Sequence, residues 1–256
     1  MASISLAEVT LELDDPGSGE PVLLLHGFPT TRQLWAGVAP ALVAAGLRVL
    51  APDLAGYGAS RAQPGVPVGM ANQARWMLEL LDRLGIRRVA LVAHDVGSAA
   101  AQIMLAQAPA RVRALVVIDG VYKSEWAMNA VESIRSWDPA KAARLPPVLA
   151  RRLGKAVVSG YQGEEGGLRL IRAARDLRPS ETADLQLPRV PALVLWGERD
   201  AYLPIETVAR PLAAQLGAPL RLLPGGHFLP LDCPAEVAAA LGDFLTRSSP
   251  AADRST

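Results

Sequence analysis

Cysteine is almost absent from this chain, which contains only Cys233 and therefore cannot form an intramolecular disulfide. Long apolar runs are also absent, so no segment has the length needed to span a bilayer. The N-terminus lacks a basic region followed by an apolar core, and we therefore expect no signal peptide and a cytoplasmic protein in a reducing compartment. The net charge at pH 7 is only +1, which argues against nucleic acid or an anionic membrane surface as a partner.

The order of apolar and amphipathic segments predicts one α/β domain. The chain has 256 residues, of which 50% are hydrophobic, and this suits a single domain with a small insertion. Short apolar runs alternate with helical periods, which is typical of a mostly parallel sheet with helices on both faces. The predicted strands are a hairpin within residues 4–13, then residues 22–25, 48–51, 89–93, 115–118, 192–196 and 220–223. The predicted helices are residues 31–45, 72–84, 98–107 and 235–245.

One long segment interrupts this alternation. Between two of the predicted strands, roughly seventy residues show helical periods and no clear strand, and such an excursion from a compact domain is usually functional. We predict a helical lid inserted after the sixth strand. The predicted organisation is a core of residues 1–120 and 188–247, a lid of residues 121–187 and a flexible tail of residues 248–256.

The segment Ala93-His94-Asp95-Val96-Gly97 joins a predicted buried strand to a predicted helix. Small residues stand two positions before and two positions after its centre. This is the layout of a nucleophile elbow, a strained turn in which the strand and helix backbones approach closely. The central residue is usually serine, and here it is Asp95. The alternative is that Asp95 is a turn or N-cap residue on a strand-to-helix loop.

An aspartate at the centre of the elbow changes the chemistry that the site can perform. A serine needs a base to remove its proton before it attacks an acyl carbon, whereas a carboxylate is already ionised at pH 7. A carboxylate can attack a saturated carbon that carries a leaving group and form a covalent ester. The sequence therefore favours epoxides or alkyl halides over ordinary esters. Ser98 lies on the predicted helix beyond the elbow, where it cannot serve as the nucleophile.

Histidine is scarce enough to limit the choice of a catalytic base. The chain has 3 histidines, which are His26, His94 and His227. His94 adjoins Asp95 on the elbow, and we expect its side chain to point away from the site. His227 follows the last predicted strand, at the edge where open α/β sheets bind ligands. Its place in chain order, after the nucleophile and an acid, predicts that it is the base.

Two aspartates are candidates for the acid that holds the second ring nitrogen of His227. Asp200 follows the penultimate predicted strand and is the residue that we favour. Asp119, at the end of the preceding strand, is the alternative. Either of them can instead be a surface loop carboxylate.

Two further groups of residues complete the predicted site. In His26-Gly27-Phe28-Pro29, the glycine turn lets the backbone N–H of Phe28 face the elbow, so that this N–H and the N–H of Val96 can form an oxyanion hole. The alternative is a plain loop with glycine and proline as turn residues. In the lid, a tyrosine O–H can donate to an epoxide oxygen and a tryptophan N–H to a halide, unless these side chains only pack the lid onto the core. The lid aromatics are Tyr122, Trp126, Trp137 and Tyr161.

Five segments together resemble the α/β-hydrolase superfamily across nearly the whole chain. They are His-Gly-Phe-Pro at 26–29, Asp-Leu-Ala-Gly-Tyr-Gly-Ala-Ser at 53–60, His-Asp-Val-Gly at 94–97, Trp-Gly-Glu-Arg-Asp at 196–200 and Gly-His-Phe-Leu-Pro at 226–230. Within the superfamily the chain looks like the branch with an aspartate nucleophile, which contains epoxide hydrolases and haloalkane or haloacetate dehalogenases. The resemblance implies an α/β-hydrolase fold with Asp95 as the nucleophile.

Departures from the patterns of these enzymes help to choose the reaction. Haloalkane dehalogenases usually have tryptophan just after the nucleophile and asparagine or glutamate at the third position of the His-Gly motif, where this chain has Val96 and Phe28. Fluoroacetate dehalogenases usually have two arginines that hold a carboxylate, where this chain has Val96 and Ala99. Phenylalanine in the His-Gly motif is common in epoxide hydrolases, although many of those have tryptophan at the position of Val96 and glycine at that of Ala93.

The favoured function is hydrolysis of an epoxide to a vicinal diol through an aspartyl ester. One alternative is dehalogenation with Trp126 or Trp137 as the halide donor. Another is a non-hydrolytic cyclase or binding protein on the same scaffold. We expect no metal and no cofactor, because the sequence contains neither a metal-ligand cluster nor a glycine-rich phosphate loop. The expected partner is a small-molecule substrate, and the chain is expected to be a monomer or a homodimer.

Overall fold

The computed structural model describes residues 1–138, 154, 161 and 163–248, and in this part of the chain nine strands form one sheet. The strands are β1 (Ala2–Ser5), β2 (Val9–Asp14), β3 (Glu20–Leu25), β4 (Leu47–Pro52), β5 (Arg61–Ala62), β6 (Val89–His94), β7 (Val112–Ile118), β8 (Ala192–Gly197) and β9 (Leu220–Leu223). Their spatial order is β1-β2-β4-β3-β6-β7-β8-β9, and β5 pairs with β2. The neighbours β4, β3, β6, β7, β8 and β9 pair in parallel. Strand β2 pairs in the antiparallel sense with β1, β4 and β5. The mostly parallel sheet predicted from the sequence is therefore confirmed.

Helices cover both faces of the sheet. They are α1 (Ala39–Ala44), α2 (Met70–Arg83), α3 (Gly97–Gln107), α4 (Met128–Arg135), α5 (Gly163–Asp176), α6 (Arg210–Leu216), α7 (Leu229–Asp232) and α8 (Pro234–Arg247). Short 3₁₀ helices cover Arg32–Trp35, Pro109–Arg111 and Pro179–Glu181, and a π-helical turn, Ile205–Ala209, precedes α6. No described helix is both long enough and apolar enough to cross a membrane.

Alternate residues of the central strands supply two separate cores. Leu23 and Leu25 of β3 pack in the cluster that includes side chains of α2 and α3, whereas Val22 and Leu24 pack in the cluster that includes side chains of α1 and α8. Every residue of β6, β7 and β8 is buried. Burial on both faces explains why these strands are almost uninterrupted apolar runs in the sequence.

The prediction of a single helix over residues 31–45 is wrong. The chain instead forms the 3₁₀ helix Arg32–Trp35 and then α1. Pro40 lies in the first turn of α1, where its missing N–H costs nothing and where it favours a helix start. Gly37, between the two pieces, packs so closely on α8 that a Cβ there would lie 2.9 Å from the Cβ of Pro234.

The insertion after β7 contains α4 and α5, and its described residues add no strand to the sheet. It follows the seventh strand in chain order rather than the sixth, because β5, which has only two residues, was not among the predicted strands. The insertion is bound to the core at the start of α2. Asp176 accepts a hydrogen bond from the backbone N–H of Val68 at 2.8 Å, and Glu181 accepts one from that of Met70 at 3.1 Å. Of the predicted tail, only Ser248 is among the described residues.

Candidate active site

The nucleophile elbow lies between β6 and α3, with Asp95 at its apex. The backbone of Asp95 has a φ of +49°, a conformation that costs energy for a residue with a side chain. Its glycine neighbours are needed for space. A Cβ at Gly97 would lie 2.3 Å from the carbonyl oxygen of His26, and a Cβ at Gly27 would lie 2.5 Å from the Cβ of Asp95. The close approach of three segments therefore fixes where the carboxylate stands.

The carboxylate of Asp95 is buried, with 5% of the residue exposed. Its Oδ2 accepts a hydrogen bond from the backbone N–H of Phe28 at 2.9 Å, and the N–H of Val96 also donates to this side chain. Burial raises the pKa of Asp95, and the nearby His227 and the two N–H groups oppose that rise because they favour the charged form. The two N–H groups predicted as an oxyanion hole thus converge on the carboxylate of Asp95.

His227 stands between Asp95 and Asp200. Its Nδ1 lies 2.9 Å from Oδ2 of Asp200, and its Nε2 lies 3.7 Å from Oδ1 of Asp95. The other oxygen of Asp200 accepts hydrogen bonds from the backbone N–H groups of Tyr202 at 2.8 Å and Leu203 at 3.1 Å. Burial alone would raise the pKa of Asp200, but the hydrogen bond to His227, the charge of His227 and these two N–H groups together hold the pKa below its usual value. The carboxylate is therefore ionised and orients the imidazole.

Asp119, the alternative acid, has a different partner. Its Oδ1 accepts a hydrogen bond from the backbone N–H of Gly197 at 2.7 Å, which ties the loop after β7 to the end of β8. Burial raises the pKa of Asp119 well above its usual value. Of the two aspartates, the structure brings Asp200 to the imidazole of His227.

The other two histidines are buried and structural. Burial lowers the pKa of His94 to about 3, so its ring is neutral at pH 7. Its Nε2 lies 2.7 Å from the carbonyl oxygen of His227 and must therefore carry the proton. The Nε2 of His26 accepts from the backbone N–H of Leu54 at 2.9 Å, and burial lowers the pKa of His26 as well. Through this hydrogen bond the side chain of His94 supports the backbone of His227.

A cavity of about 220 Å³ opens onto Asp95 and His227. Its walls are mostly apolar, and none of the described side chains that line it is a lysine or an arginine. They are Phe28, Pro29, Asp95, Val96, Trp126, Ala127, Met128, Val131, Ser133, Ile134, Trp137, Tyr202, His227 and Phe228. A more polar depression of about 370 Å³, which Arg32, Arg61 and Arg169 border, does not include the elbow. The cavity over Asp95 is therefore the candidate substrate site.

The predicted lid donors are placed differently from expectation. Trp126 lines the cavity, but its indole N–H already donates to the carbonyl oxygen of Lys123 at 2.9 Å and to Oγ1 of Thr182 at 3.0 Å. Tyr161 is fully buried, with its hydroxyl 3.5 Å from the carbonyl oxygen of Thr30.

The remaining lid aromatics are Tyr122 and Trp137. Neither Tyr122 nor Tyr161 is among the described residues that line the cavity, and the ring of Tyr122 lies beneath the ammonium group of Lys123. Trp137 does line the cavity.

Sequence reasoning missed Tyr202, whose ring centroid lies 5.0 Å from that of His227. Tyr202 stands two residues after Asp200, on the loop that follows β8. The rule that strand ends meet at one edge of the sheet could have identified it, because that rule had already identified Asp200. Helix α4 also supplies Met128, Val131 and Ile134 to the cavity at helical spacing.

Comparison with known proteins identifies the family. A family model described as the alpha/beta hydrolase fold matches residues 20–159, which is more than half of the chain. The protein belongs to the α/β-hydrolase family. The relatives of this α/β-hydrolase include haloalkane dehalogenases and a solved protein that is provisionally named an epoxide hydrolase.

Three relatives illustrate how far the similarity extends. An uncharacterized protein of Mycobacterium tuberculosis is 30% identical over 92% of this chain and 78% of its own length. Haloalkane dehalogenase 2 of the same organism is 28% identical over 89% of this chain and 88% of its own length. The solved protein from Pseudomonas aeruginosa that is provisionally named an epoxide hydrolase is 25% identical, with a TM-score of 0.69 over 96% of this chain and 95% of its own. The names of these relatives indicate different reactions, so the reaction of this chain has to be inferred from its own site.

Proposed function

We propose that this α/β-hydrolase opens an epoxide to a vicinal diol through a covalent ester on Asp95. The observation that carries the proposal is the arrangement of the Asp95 carboxylate. The backbone N–H of Phe28 donates to its Oδ2, and the N–H of Val96 donates to the same carboxylate. Oδ1 lies 3.7 Å from Nε2 of His227, and Asp95 and His227 both line the cavity. A nucleophilic oxygen, donors for an oxyanion and a base are therefore present around one carboxylate.

In the first step, Oδ1 of Asp95 attacks a ring carbon of the epoxide. A C–O bond forms, the ring C–O bond breaks, and the epoxide oxygen leaves the ring as an alkoxide that takes a proton. The step does not need His227 as a base, because the attacking carboxylate has no proton to lose. The N–H of Phe28 donates to the other carboxylate oxygen, and the N–H of Val96 donates to the same carboxylate, so the two groups orient the nucleophile.

In the second step, water cleaves the ester. His227 takes a proton from the water, and the resulting hydroxide attacks the carbonyl carbon of the ester. Negative charge develops on the oxygen that was Oδ2, at the N–H groups of Phe28 and Val96. Asp200 stabilises the imidazolium that forms and holds its Nδ1–H at 2.9 Å. Collapse of the tetrahedral intermediate releases the diol and regenerates the Asp95 carboxylate.

Two observations favour an epoxide over a halide. The N–H of Trp126 is used within the lid, so it offers no donor to a departing halide. The described cavity wall carries no cationic side chain, so it has nothing to pair with the carboxylate of a haloacid. A neutral alkyl halide remains the second candidate, because Trp137 lines the cavity and carries an indole N–H.

A binding protein or a non-hydrolytic cyclase does not need both a nucleophile and a pair of residues that activates water. Such a protein has no use for an imidazole that an ionised carboxylate orients toward the nucleophile. The presence of both the nucleophile and the water-activating pair therefore supports hydrolysis.

Intact-protein mass spectrometry of the His227→Gln variant tests the proposal. We expect this variant to accumulate the ester when it is incubated with styrene oxide, with a mass increase equal to the whole epoxide. With 2-phenylethyl bromide, an increase equal to the alkyl group without bromine would instead support a dehalogenase. The Asp95→Asn/His227→Gln variant is the control and should form no adduct. If His227→Gln turned over styrene oxide at the parent rate, the mechanism would be wrong.

A further inference from the structure

Ring opening needs a proton donor that the predicted lid aromatics do not supply. The alkoxide that forms in the first step is a strong base, and its protonation by a positioned acid is worth about 10²- to 10⁴-fold in rate. Neither Tyr122 nor Tyr161 is among the described residues that line the cavity. The N–H of Trp126 is held by Lys123 and Thr182. The donor must therefore be sought elsewhere on the cavity wall.

Few of the described cavity residues carry a proton that can be transferred. Trp137 can hydrogen-bond through its indole N–H, but an indole does not give up that proton. Ser133 is an alcohol and therefore no stronger an acid than the alcohol that forms. Tyr202 is the one phenol among the described residues that line the cavity. Phenols are much stronger acids than aliphatic alcohols, so transfer from a phenol to the alkoxide is favourable.

The position of Tyr202 is fixed by the same carboxylate that orients the base. Oδ1 of Asp200 accepts the backbone N–H of Tyr202 at 2.8 Å, while Oδ2 of Asp200 holds Nδ1 of His227 at 2.9 Å. The ring of Tyr202 lies against the imidazole, with centroids 5.0 Å apart and an interplanar angle of 58°. Tyr202 is half-buried and packs against both hydrophobic cores. The ring of Tyr202 therefore stands beside the base, in the wall of the cavity that Asp95 also lines.

We propose that Tyr202 is the acid that protonates the epoxide oxygen, an inference that rests on the proposed function. As Oδ1 of Asp95 forms its bond to carbon, the electron pair of the breaking C–O bond goes to oxygen, and that oxygen takes the proton of the Tyr202 hydroxyl. The products of the step are the hydroxyalkyl ester of Asp95 and a tyrosinate at position 202.

His227 returns the proton that Tyr202 gives up in the first step. In the second step His227 takes one proton from water, and the imidazolium passes this proton to the adjacent tyrosinate, directly or through a water molecule. The second proton of the water remains on the tetrahedral intermediate and leaves on the ester oxygen as the diol departs. The sum is epoxide plus water giving diol, with Asp95, His227 and Tyr202 returned to their starting forms.

The first test compares adduct formation in variants that cannot hydrolyse the ester. In the His227→Gln background, we expect Tyr202→Phe to slow adduct formation with styrene oxide by about 10²- to 10⁴-fold. Tyr57→Phe is the matched control, because it removes the same oxygen from a buried tyrosine outside the described cavity wall. It should leave the rate of adduct formation unchanged. Wherever 2-phenylethyl bromide also forms an adduct, Tyr202→Phe should not slow that reaction, because bromide leaves without a proton.

The outcomes separate this proposal from the proposed function. If His227→Gln forms no adduct at all, the covalent mechanism fails, and the role of Tyr202 fails with it. If His227→Gln forms the adduct and the added Tyr202→Phe change leaves its rate the same, the covalent mechanism stands and Tyr202 is not the acid.

A second test distinguishes an acid from a residue that only positions His227. In the otherwise unaltered protein, Tyr202→Phe should lower turnover of styrene oxide without accumulation of the ester, because ring opening becomes the slow step. Accumulation of the ester in that variant would show that hydrolysis had been slowed instead. Tyr202 would then act through His227, and the proposal would be overturned.

Discussion

The Nδ1 atom of His227 lies 2.9 Å from Oδ2 of Asp200, and this carboxylate is held ionised by its hydrogen bonds. In the proposed mechanism the pair serves only the second step, since ester formation needs no base. Substitutions in the pair should therefore slow hydrolysis of the ester without slowing its formation. This difference distinguishes an aspartyl-ester mechanism from one in which His227 activates water for direct attack on the epoxide.

Asp200→Asn keeps the shape of the side chain but removes its charge. We expect the ester to form at about the parent rate and to be hydrolysed about 10²- to 10⁴-fold more slowly, because the imidazolium loses its stabilising partner. Stopped-flow or quenched mass spectrometry with styrene oxide measures the two rates separately. Loss of ester formation and hydrolysis together would contradict the division of roles.

Asp119→Asn is the matched comparison for Asp200→Asn. Burial raises the pKa of Asp119, and its Oδ1 accepts the N–H of Gly197, a hydrogen bond that an amide oxygen can keep. We therefore expect this variant to hydrolyse the ester at nearly the parent rate. Accumulation of the ester in Asp119→Asn but not in Asp200→Asn would make Asp119 the functional acid.

His94 makes the stability of the protein depend on pH. Its pKa is lowered to about 3 in the folded protein because the ring is buried, whereas the usual value is 6.5. The unfolded chain therefore binds an extra proton between these values, so this contribution to stability is present above pH 6.5 and is lost as the pH falls toward 3. Fully developed, the loss is on the order of 5 kcal/mol.

Urea unfolding at pH 7 and pH 5 checks this expectation. His94→Gln retains an N–H donor for the carbonyl oxygen of His227 but cannot titrate. Its free energy of unfolding should fall less between the two pH values than that of the parent, even if the variant is less stable at pH 7. An equal fall in both proteins would show that His94 does not carry the effect.

Tyr57 carries a buried hydroxyl with no hydrogen-bond partner among the described residues. A buried polar group without a partner costs about 1–3 kcal/mol. Tyr57→Phe should therefore raise the free energy of unfolding, by about 1 kcal/mol. Thermal and urea unfolding measure the change, and a clear loss of stability would mean that the hydroxyl has a partner in solution.

Alanine substitutions at two helical glycines, Gly97 and Gly242, should have opposite effects on stability. A Cβ at Gly242 in α8 would meet no atom within 4 Å, so Gly242→Ala should raise stability by about 0.5–1 kcal/mol through helix propensity. A Cβ at Gly97 in α3 would lie 2.3 Å from the carbonyl oxygen of His26. Gly97→Ala should therefore destabilise the protein and slow ester formation, because the elbow must move. Equal effects of the two changes on unfolding would contradict the role of close packing at the elbow.

The sequence predicted the parts of the site that depend on strand order. Asp95, Asp200 and His227 each follow a parallel strand, and parallel strands end at one edge of the sheet. Short apolar runs and the residues after them were therefore enough to predict that these side chains meet. The α/β fold followed from the same alternation of strands and helices.

The lid could not be predicted in the same way, because its geometry depends on contacts between distant residues. The N–H of Trp126 is taken up by Thr182, which is 56 residues further along the chain. The residues near Trp126 in the sequence do not predict that hydrogen bond. The placement of Tyr202 beside His227 likewise depends on the path of a loop that the Asp200 carboxylate holds. Side-chain roles at the cavity wall therefore emerge only from the folded structure.

The most direct test of the central claim follows the oxygen of water in a single turnover. Excess enzyme is mixed with styrene oxide in water enriched in heavy oxygen, and the diol and the peptide that contains Asp95 are analysed by mass spectrometry. The covalent mechanism predicts an unlabelled diol and a heavy oxygen in the carboxylate of Asp95, because water attacks the carbonyl carbon of the ester. A labelled diol with an unlabelled Asp95 would show direct attack of water on the epoxide and would contradict the account.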